Sequence, residues 1–257
     1  MGAAQRLELL AVPGLPMVRA GDDLVALVLQ HAAAAGIALH DHDVVVLAQK
    51  IVSKSEGRTV QLADVSPSPR AVALALEVQK DARLVELVLR ESRRLVRTAP
   101  QVLIVEHRLG FVMANAGIDQ SNVNAAGTPE QALLLPEDPD ASAARLRAGF
   151  RARAGVDVGV IVNDSFGRPW RLGTVGVAIG AAGVAAVRDL RGQPDLLGRK
   201  LQVTVVGHAD ELAAAASLVM GQSDEAQPVV IVRGLRPPAT ALPAAALLRP
   251  PGEDLFR

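Results

Sequence analysis

Two of the four lysines in the 257-residue chain, Lys50 and Lys54, are separated by one turn of helix. They follow an apolar run, Val44–Ala48, that is typical of a buried strand. At this spacing both side chains lie on one face of a helix, and a compact ammonium group after a strand end is a common partner for phosphate. The alternative is a pair of solvated lysines that open a helix. The other two lysines, Lys80 and Lys200, are expected on solvated surfaces.

A second polar stretch, GFVMANAGIDQSNVN, contains three of the chain's four asparagines. Within it, Asp119 is followed by Ser121 and Asn122. Carboxylate, hydroxyl and amide oxygens are hard ligands that suit Mg2+ or Mn2+ better than zinc. Because Asp, Asn and Ser are also common in turns and helix caps, a capped turn is the alternative. The preceding His107 is expected to be a surface residue at the end of a strand rather than a ligand.

The third stretch, GVIVNDSFGRPWRLG, places polar residues after the buried run Val158–Val162. Asp164 and Ser165 come at the carboxyl end of this predicted strand, where open sheets hold their ligands. Arg168 and Arg171 follow, and their two guanidinium groups could bind a carboxylate or a phosphate. A surface turn in which arginine packs on tryptophan is the alternative.

A fourth loop, MGQSDEAQP, joins a predicted helix to a predicted strand and could wrap a nucleotide, although many helix-to-strand connections have this composition. The first three stretches together supply two acids from separate strand ends, a lysine pair and an arginine pair. The acids could hold one or two divalent ions that bridge phosphates, while the lysines neutralise the remaining charge. The sequence therefore indicates a site for a metal-nucleotide complex and an anionic substrate, without a Walker P-loop or a dinucleotide fingerprint.

Short runs rich in valine and isoleucine and alanine-rich helical patterns favour a mixed α/β or α+β fold. The two kinds of element do not alternate cleanly enough for a plain doubly wound sheet. Strands are predicted at Leu7–Val12, Val44–Ala48, Val102–Glu106, Val158–Val162, Leu201–Val206 and Val229–Arg233. Helices are predicted at Asp22–Ala35, Pro69–Lys80, Ala82–Arg97, Ala141–Ala154 and Asp210–Met220.

Three smaller features complete the expected fold. Asp138 before the fourth helix and Gly155 after it are good start and stop signals. Glycines 176, 180 and 183 are interpreted as residues that let a helix pack closely, and the arginines of the third helix, at 90, 94 and 97, as a solvated face. The proline-rich segment 235–257 is a poor helix or central strand, so it is expected to cover a surface or to lead to a partner.

The composition excludes several classes of protein and site. The 27 basic and 27 acidic residues cancel, so general nucleic-acid binding is not expected. The chain has no cysteine, which excludes disulfides, thiolate catalysis and zinc sites with cysteine ligands. Neither a signal peptide nor an apolar run of roughly 18 residues occurs in the sequence. A soluble, cytoplasmic protein is the expectation.

Several long motifs, taken in order, resemble those of coenzyme F420:L-glutamate ligases. They are PGLPMVRAGDD, AQKIVSKSEGR, NAGIDQSNV, NDSFGRPWRLGTVGVAIGAAG and MGQSDEAQPVVIVRG, and they cover nearly the whole chain. The resemblance implies a single ligase domain over residues 1–257 and an unusual α+β fold with mixed sheets in an intertwined homodimer. The tail LLRPPGEDLFR is similar to the junction before the nitroreductase-like domain of two-domain mycobacterial members.

The resemblance also implies a reaction. GTP would phosphorylate the terminal carboxylate on the phospholactate arm of coenzyme F420-0, a deazaflavin. The amine of L-glutamate would then attack the acyl phosphate, with release of GDP and phosphate, and further γ-linked glutamates could follow. Since a carboxylate is a poor electrophile and phosphate is a good leaving group, this activation is chemically required. The family uses two divalent ions, Mg2+ or Mn2+, often with K+.

Carried to the matching positions, the resemblance implies that Asp119 and Asp164 are metal ligands and act in catalysis with Lys54. Ser165 and Gln222 would lie at a second ion. Ser165 stands where threonine is common and keeps the hydroxyl, whereas Gln222 stands where some members have glutamate, which weakens its hold on a metal. The residues implied to contact GTP are Leu15, Pro16, Met17, Val18, Gln49, Lys50, Lys54, Asn122, Met220, Gly221, Gln222, Ser223, Asp224, Glu225, Ala226 and Gln227.

Two other functions stay open at this point. One is a non-catalytic nucleotide-binding partner that keeps the fold and has lost the chemistry, against which the intact Asp119, Asp164 and Lys54 argue. The other is a ligase of the same chemistry that acts on a different phospholactate-like acceptor or amino acid. The sequence does not separate this second alternative from the main hypothesis, because it does not locate the deazaflavin pocket.

Overall fold

The structure, a computed structural model, describes residues 5–121, 129–237 and 240–254. Within these ranges, strands and helices mix in an order that confirms the predicted α+β class. The strands are β1 (Glu8–Ala11), β2 (Val44–Ala48), β3 (Thr59–Gln61), β4 (Ser92–Ala99), β5 (Val102–His107), β6 (Val112–Ala114), β7 (Gln131–Leu133), β8 (Gly159–Arg168), β9 (Arg171–Ala182), β10 (Arg188–Asp189), β11 (Val205–Val206) and β12 (Val229–Arg233). The helices are α1 (Leu24–Ala34), α2 (Gln49–Ser55), α3 (Pro69–Val78), α4 (Ala82–Arg90), α5 (Pro139–Ala154) and α6 (His208–Met220).

A five-stranded mixed sheet, in the order β1-β12-β2-β8-β9, forms the centre of the molecule. β2 and β8 are parallel, and every other neighbouring pair is antiparallel. The inner strands β2 and β12 are almost uninterrupted runs of valine, leucine and isoleucine, because both of their faces are buried. The parallel pairing ends where Ala48 faces Asn163, so both strands deliver the residues that follow to one edge of the sheet.

Helices cover both faces of this sheet. On one face, Val28 of α1 and Phe150 of α5 pack in the same fully buried cluster as Leu47. On the other face, Leu212 of α6 packs in a cluster with Val46. Leu47 and Val46 are neighbours in β2, and successive side chains of a strand point to opposite faces. Full burial of each large apolar side chain stabilises the fold by roughly 1.5–3 kcal/mol.

Short polar side chains begin the helices on the first face. Asp23 accepts a hydrogen bond from the Ala26 amide at the start of α1, and Asp138 accepts one from the Ala141 amide at the start of α5. α5 is capped at its C-terminus by Gly155, whose φ of 72° lies in the left-handed region that glycine adopts without a steric penalty. The start and stop signals predicted for this helix are confirmed.

A smaller layered unit packs beside the central sheet and carries Asp119. Its sheet, β4-β5-β6, packs on α3 and α4 through Val78, Val85 and Leu103. The short strands β3 and β7 pair next to it, and Asp119 forms an isolated antiparallel bridge with Leu133 of β7. The backbone of Asp119 is therefore fixed by two hydrogen bonds, 3.0 and 2.8 Å long, to that of Leu133.

His107 lies in the core of this unit, so the prediction of a surface position is wrong. Its side chain is fully buried, and its Nδ1 accepts a hydrogen bond from the Leu109 amide at 3.0 Å. Its Nε2 lies 3.4 Å from the carboxylate of Glu91, which also binds Arg58 and Arg108 at 3.1 Å. Burial opposes ionisation of Glu91, but these neighbours lower its pKa to about 2. The histidine belongs to a largely buried ionic cluster that joins the end of β5 to the residues that follow α2 and α4.

The predicted helix Ala82–Arg97 is wrong in its second half. α4 ends at Arg90, and the next eight-residue segment forms β4, antiparallel to β5. Arg94 Nε binds Glu106 Oε2 of β5 at 2.7 Å, a cross-strand pair that supports the strand. Arg94 and Arg97 thus lie on a strand rather than on a helix face. Arginine and leucine favour helices locally, and pairing with a neighbouring strand overrides that weak preference.

Two further strand predictions differ from the structure. Of Leu201–Val206, only the last two residues form β11, paired with β10. In contrast, the strand predicted to end at Val162 continues to Arg168 and turns back as β9. Gly176 and Gly180 lie in β9, and they do allow helices to pack closely.

The close packing at these glycines has a simple geometric basis. A Cβ atom at Gly176 would lie 2.2 Å from Ser217 Oγ of α6, and one at Gly180 would lie 2.2 Å from the Pro139 carbonyl oxygen of α5. Any side chain would therefore push the helices away from the sheet. Glycine within a strand commonly marks such a close approach.

The described part of the proline-rich segment covers a surface, as predicted. The Leu242 amide donates to the Val184 carbonyl at 2.8 Å, and Asp140 of α5 accepts hydrogen bonds from Ala244 and Ala245. This segment thus ties α5 to the end of β9. Across the described ranges, none of the helices combines the length and apolar character needed to cross a membrane.

Candidate active site

The candidate site lies at the edge of the sheet where the parallel pairing of β2 and β8 ends. β2 leads directly into α2, which carries Lys50, while Asp164 follows the last paired residue of β8. Asp164 and Ser165 lie within β8, which continues in its pairing with β9, and not beyond the end of the strand as predicted. Their expected position at the carboxyl end of the parallel segment is nevertheless correct.

Lys50 joins the first two predicted stretches. Its Nζ lies 2.7 Å from Asp119 Oδ2 and donates to Ser121 Oγ, also at 2.7 Å. The Ser121 amide donates to Asp119 Oδ1 at 2.6 Å. Burial by itself would raise the pKa of Asp119, but the contacts with Lys50 and Ser121 lower it. Lys50 is therefore an ion-pair partner, and the alternative of a purely solvated lysine is wrong for it.

Asp164 is the second carboxylate of the site. Burial raises its pKa to about 6, and the negative charge of Asp119 contributes to the rise. The Ser165 amide donates a hydrogen bond to Asp164 Oδ1 at 2.8 Å, and this bond and the charge of Lys50 both lower the pKa of Asp164. Two carboxylates are thus held close enough to repel each other, an arrangement that a bound cation would relieve.

Lys54 lies one turn after Lys50 on α2, as the spacing predicts. Burial and the charge of Lys50 lower the pKa of Lys54, whereas Asp119 raises it. Lys50, Lys54, Asp119 and Asp164 are therefore coupled through their charges, and we call them the charged cluster. The structure brings together the central residues of all three predicted stretches.

The predicted nucleotide-contacting residues outside the cluster lie in several separate segments. Gln49 is buried, and its side-chain amide donates to Ser53 Oγ at 2.6 Å. Pro16 and Met17 line an open cavity of about 450 Å³ beside the start of α1. Asn122 lies outside the described residues. A GTP contact at each of these positions stays a prediction.

The loop Met220–Gln227 also begins near the cluster, because α6 ends beside β8. The buried Asn163 donates from Nδ2 to Ser217 Oγ at 3.1 Å and to Met220 Sδ at 3.4 Å. Within the loop, backbone amides that include the Ser223 N–H donate to Glu225 and lower the pKa of its carboxyl. The loop MGQSDEAQP, whose composition is the least specific of the four polar stretches, thus starts next to Asp164.

The candidate metal ligands form a sparse set. Within the described ranges there is no group of three or more His, Asp or Glu residues that could hold a metal ion. Of the oxygen donors predicted for a metal, the structure describes Asp119, Ser121, Asp164, Ser165 and Gln222, and Ser121 Oγ accepts from Lys50. Among described residues Gln222 makes no side-chain hydrogen bond, and its assignment to a metal stays a prediction.

The arginine pair of the third stretch lies farther along the β8–β9 hairpin. Arg168 is four residues after Asp164, which corresponds to about 13 Å along a strand. In the described part of the chain, neither Arg168 nor Arg171 forms an ion pair with Asp119 or Asp164. Trp170 is 89% exposed at the tip of the hairpin, so the alternative of an arginine packed on tryptophan is wrong.

Two residues near the site have positions that the sequence reasoning did not give them. Asn163, one of only four asparagines, was expected with Asp164 and Ser165 at the end of the strand, and it is a buried link between β8 and α6. Lys80, expected on a solvated surface, lines a cavity of about 270 Å³ together with Asp119. The sequence feature that could have pointed to Lys80 is that the chain has only four lysines.

Comparison with known proteins gives matches over most of the chain. Residues 14–234 match the family described as F420-0:Gamma-glutamyl ligase. A Methanopyrus kandleri protein named Coenzyme F420:L-glutamate ligase is 47% identical over 261 residues, with 100% of both chains covered. A protein of the same name from Methanothermobacter thermautotrophicus is 45% identical, covering 98% of this chain and 99% of the relative. Another, from Halobacterium salinarum, is 48% identical, with 87% and 85% covered.

Proposed function

Because this chain belongs to the F420-0:Gamma-glutamyl ligase family, we propose that it uses GTP to join L-glutamate to the phospholactate carboxylate of coenzyme F420-0. It is an amide-forming ligase of coenzyme F420 biosynthesis. The observation that carries the finer proposal is the charged cluster, in which two carboxylates and two lysines from three separate stretches meet at one edge of the sheet.

The donor set at the cluster fits a divalent cation. Asp119 and Asp164 repel each other, and burial makes ionisation of Asp164 unfavourable unless a positive charge is supplied. Oxygen ligands of this kind suit Mg2+ or Mn2+, so Asp119, Asp164 and Ser165 would hold the metal, with Gln222 at a second ion. Such ions supply positive charge to phosphate oxygens. A role for K+ is proposed on family membership alone.

The residues around the cluster suit GTP. Lys50 and Lys54 supply two ammonium groups, which are point charges suited to phosphate. The open cavity lined by Pro16 and Met17 lies on a loop that is tied to α2, because the Gly21 amide donates to the Ser55 carbonyl at 2.8 Å. We therefore propose that the phosphates of GTP bind at the lysines and that Leu15–Val18 and the loop at 220–227 contact the rest of the nucleotide.

The reaction needs two group transfers. The phospholactate carboxylate attacks the γ-phosphorus of GTP, a new O–P bond forms, and GDP leaves with the electron pair of the broken bond. The nitrogen of L-glutamate then attacks the acyl carbon, the C–O bond to phosphate breaks, and phosphate leaves while the amine gives up a proton. Lys50 and Lys54 lower the repulsion between anionic reactants.

A homodimer is part of this proposal. The tip of the β8–β9 hairpin exposes Trp170 at 89% and Leu172 at 99%, and the segment before β11 exposes Leu196 and Leu197 almost completely. Burial of such large apolar side chains against a second copy of the chain would remove them from water. Light scattering should give a mass about twice that of the 26.8 kDa chain, and a monomer at micromolar concentration would contradict the dimer.

The proposed reaction is tested by incubating the protein with GTP, Mn2+, L-glutamate and glutamate-free coenzyme F420-0 and reading the product masses. We expect coenzyme that is heavier by one glutamate residue, together with one GDP for each amide formed. Omission of GTP should stop the reaction. Product at the same rate without GTP, or GTP hydrolysis without ligation, would contradict the proposal.

A further inference from the structure

A cavity of about 270 Å³ opens on the charged cluster from the side of the smaller unit. Lys80, in the turn between α3 and α4, and apolar residues of α4 form one wall. The segment that ends in Asp119 and Ser121 forms the other wall. The carboxylate that binds Lys50 is therefore also a boundary of this cavity, so a molecule inside it would lie next to the reacting groups.

Lys80 differs from Lys50 in its contacts. Lys50 is held by Asp119 and Ser121, whereas the side chain of Lys80 forms no ion pair or hydrogen bond with the described residues. Lys80 is partly buried and lines a cavity whose other lining includes Leu84, Val85 and Val88 of α4. A cation beside an apolar wall suits a ligand that has a short hydrocarbon chain and an anionic end.

We propose that this cavity binds the L-glutamate substrate, with its γ-carboxylate on Lys80, its methylene groups on Leu84 and Val88, and its amine directed toward Asp119. This inference rests on the proposed function. Cavities that hold drug-sized ligands measure roughly 300–1,000 Å³, so the volume here matches an amino acid better than a deazaflavin.

The orientation follows from the chemistry of the reaction. The amine must reach the acyl carbon, which forms beside the charged cluster and therefore at the Asp119 end of the cavity. The α-carboxylate is bonded to the same carbon as the amine and has to stay at that end. The γ-carboxylate is the only charged group of glutamate that extends to the opposite wall, where Lys80 lies. Lys80 thus selects for the second carboxylate.

The test compares Lys80→Met with Lys200→Met, a matched change at an exposed lysine. In Lys80→Met the KM for L-glutamate should rise roughly ten- to hundredfold, the range for loss of one charge-assisted contact. The KM values for GTP and for the coenzyme should stay within about twofold. The preference for L-glutamate over L-glutamine, measured as a ratio of kcat/KM, should fall by the same factor. In Lys200→Met, the three KM values and the preference for L-glutamate over L-glutamine should equal those of the wild type.

Several outcomes would overturn the inference. An unchanged KM for L-glutamate in an active Lys80→Met enzyme would exclude the contact, and a raised KM for the coenzyme alone would assign the cavity to the deazaflavin. Calorimetric binding of L-glutamate to the wild type and both variants separates this inference from the proposed function, because it needs no turnover. Weaker binding to Lys80→Met in a protein without ligase activity would support the glutamate site and contradict the reaction.

Discussion

Replacing Asp119 with asparagine should reduce ligase turnover by roughly 10²–10³-fold or more, the scale for removal of one charge-stabilising group from an active site. The amide keeps the shape of the side chain, but its single oxygen can accept only one of the two contacts that Lys50 and the Ser121 amide make with separate carboxylate oxygens. It loses the negative charge that binds a divalent ion and that pairs with Lys50 at 2.7 Å. Steady-state rates with GTP, L-glutamate and coenzyme at saturating Mg2+ would measure the loss.

The control for this variant is Asp64→Asn. Asp64 is exposed and has no side-chain hydrogen bond or ion pair within the described residues, so the same chemical change there should leave turnover within about twofold. Thermal unfolding of both variants should show that the fold is kept. If Asp119→Asn retained near-normal turnover at saturating Mg2+, the assignment of Asp119 as a metal ligand would be wrong.

Replacing Lys54 with alanine should weaken GTP binding by roughly ten- to hundredfold, as expected for loss of one charge-assisted contact. Lys54 is partly buried beside Lys50, and both its burial and that neighbouring charge lower its pKa. The charged form of Lys54 is therefore destabilised in the free protein, and a bound phosphate would stabilise it. Equilibrium binding of GTP, followed by calorimetry in the presence of Mg2+, would measure the change.

The matched control for Lys54 is Lys200→Ala. Lys200 is exposed and far from α2 in the chain, whereas Lys80 is not a suitable control because it borders the cavity next to Asp119. We expect GTP affinity within about twofold of wild type for Lys200→Ala. Equal losses in Lys54→Ala and Lys200→Ala would mean that the protein attracts GTP through its general charge and that QKIVSK is not a phosphate site.

The part of the site that lies on one local element could be predicted from the sequence. The spacing of Lys50 and Lys54 is sufficient to put them on one helix face, and α2 confirms it. Asp119 and Asp164 stood out because each follows a strand-like run and belongs to a short polar stretch in a chain that is half apolar. Their proximity in space was inferred from chemistry and from the family resemblance, since no local spacing determines it.

Long-range pairing explains what the sequence did not reveal. The segment after Val162 contains glycine, proline and charged residues, which locally favour a loop, yet its pairing with β9 extends the strand to Arg168. The segment after Arg90 has helical composition, yet its pairing with β5 makes it a strand. In both places, backbone hydrogen bonds and side-chain contacts to a distant partner outweigh local preferences that differ by less than about 1 kcal/mol per residue.

The central claim is that GTP activates the acceptor's carboxylate, and isotope transfer tests it most directly. Coenzyme F420-0 carrying heavy oxygen in its phospholactate carboxylate is incubated with the protein, GTP, Mn2+ and L-glutamate. The isotopic mass of the released phosphate is then measured by mass spectrometry. One oxygen of the carboxylate bridges carbon and phosphorus in the acyl phosphate and leaves with phosphate when the amine attacks. If the carboxylate is activated in this way, each phosphate released should carry one heavy oxygen. Unlabelled phosphate, with label appearing only when the glutamate carboxylates are the labelled group, would contradict it.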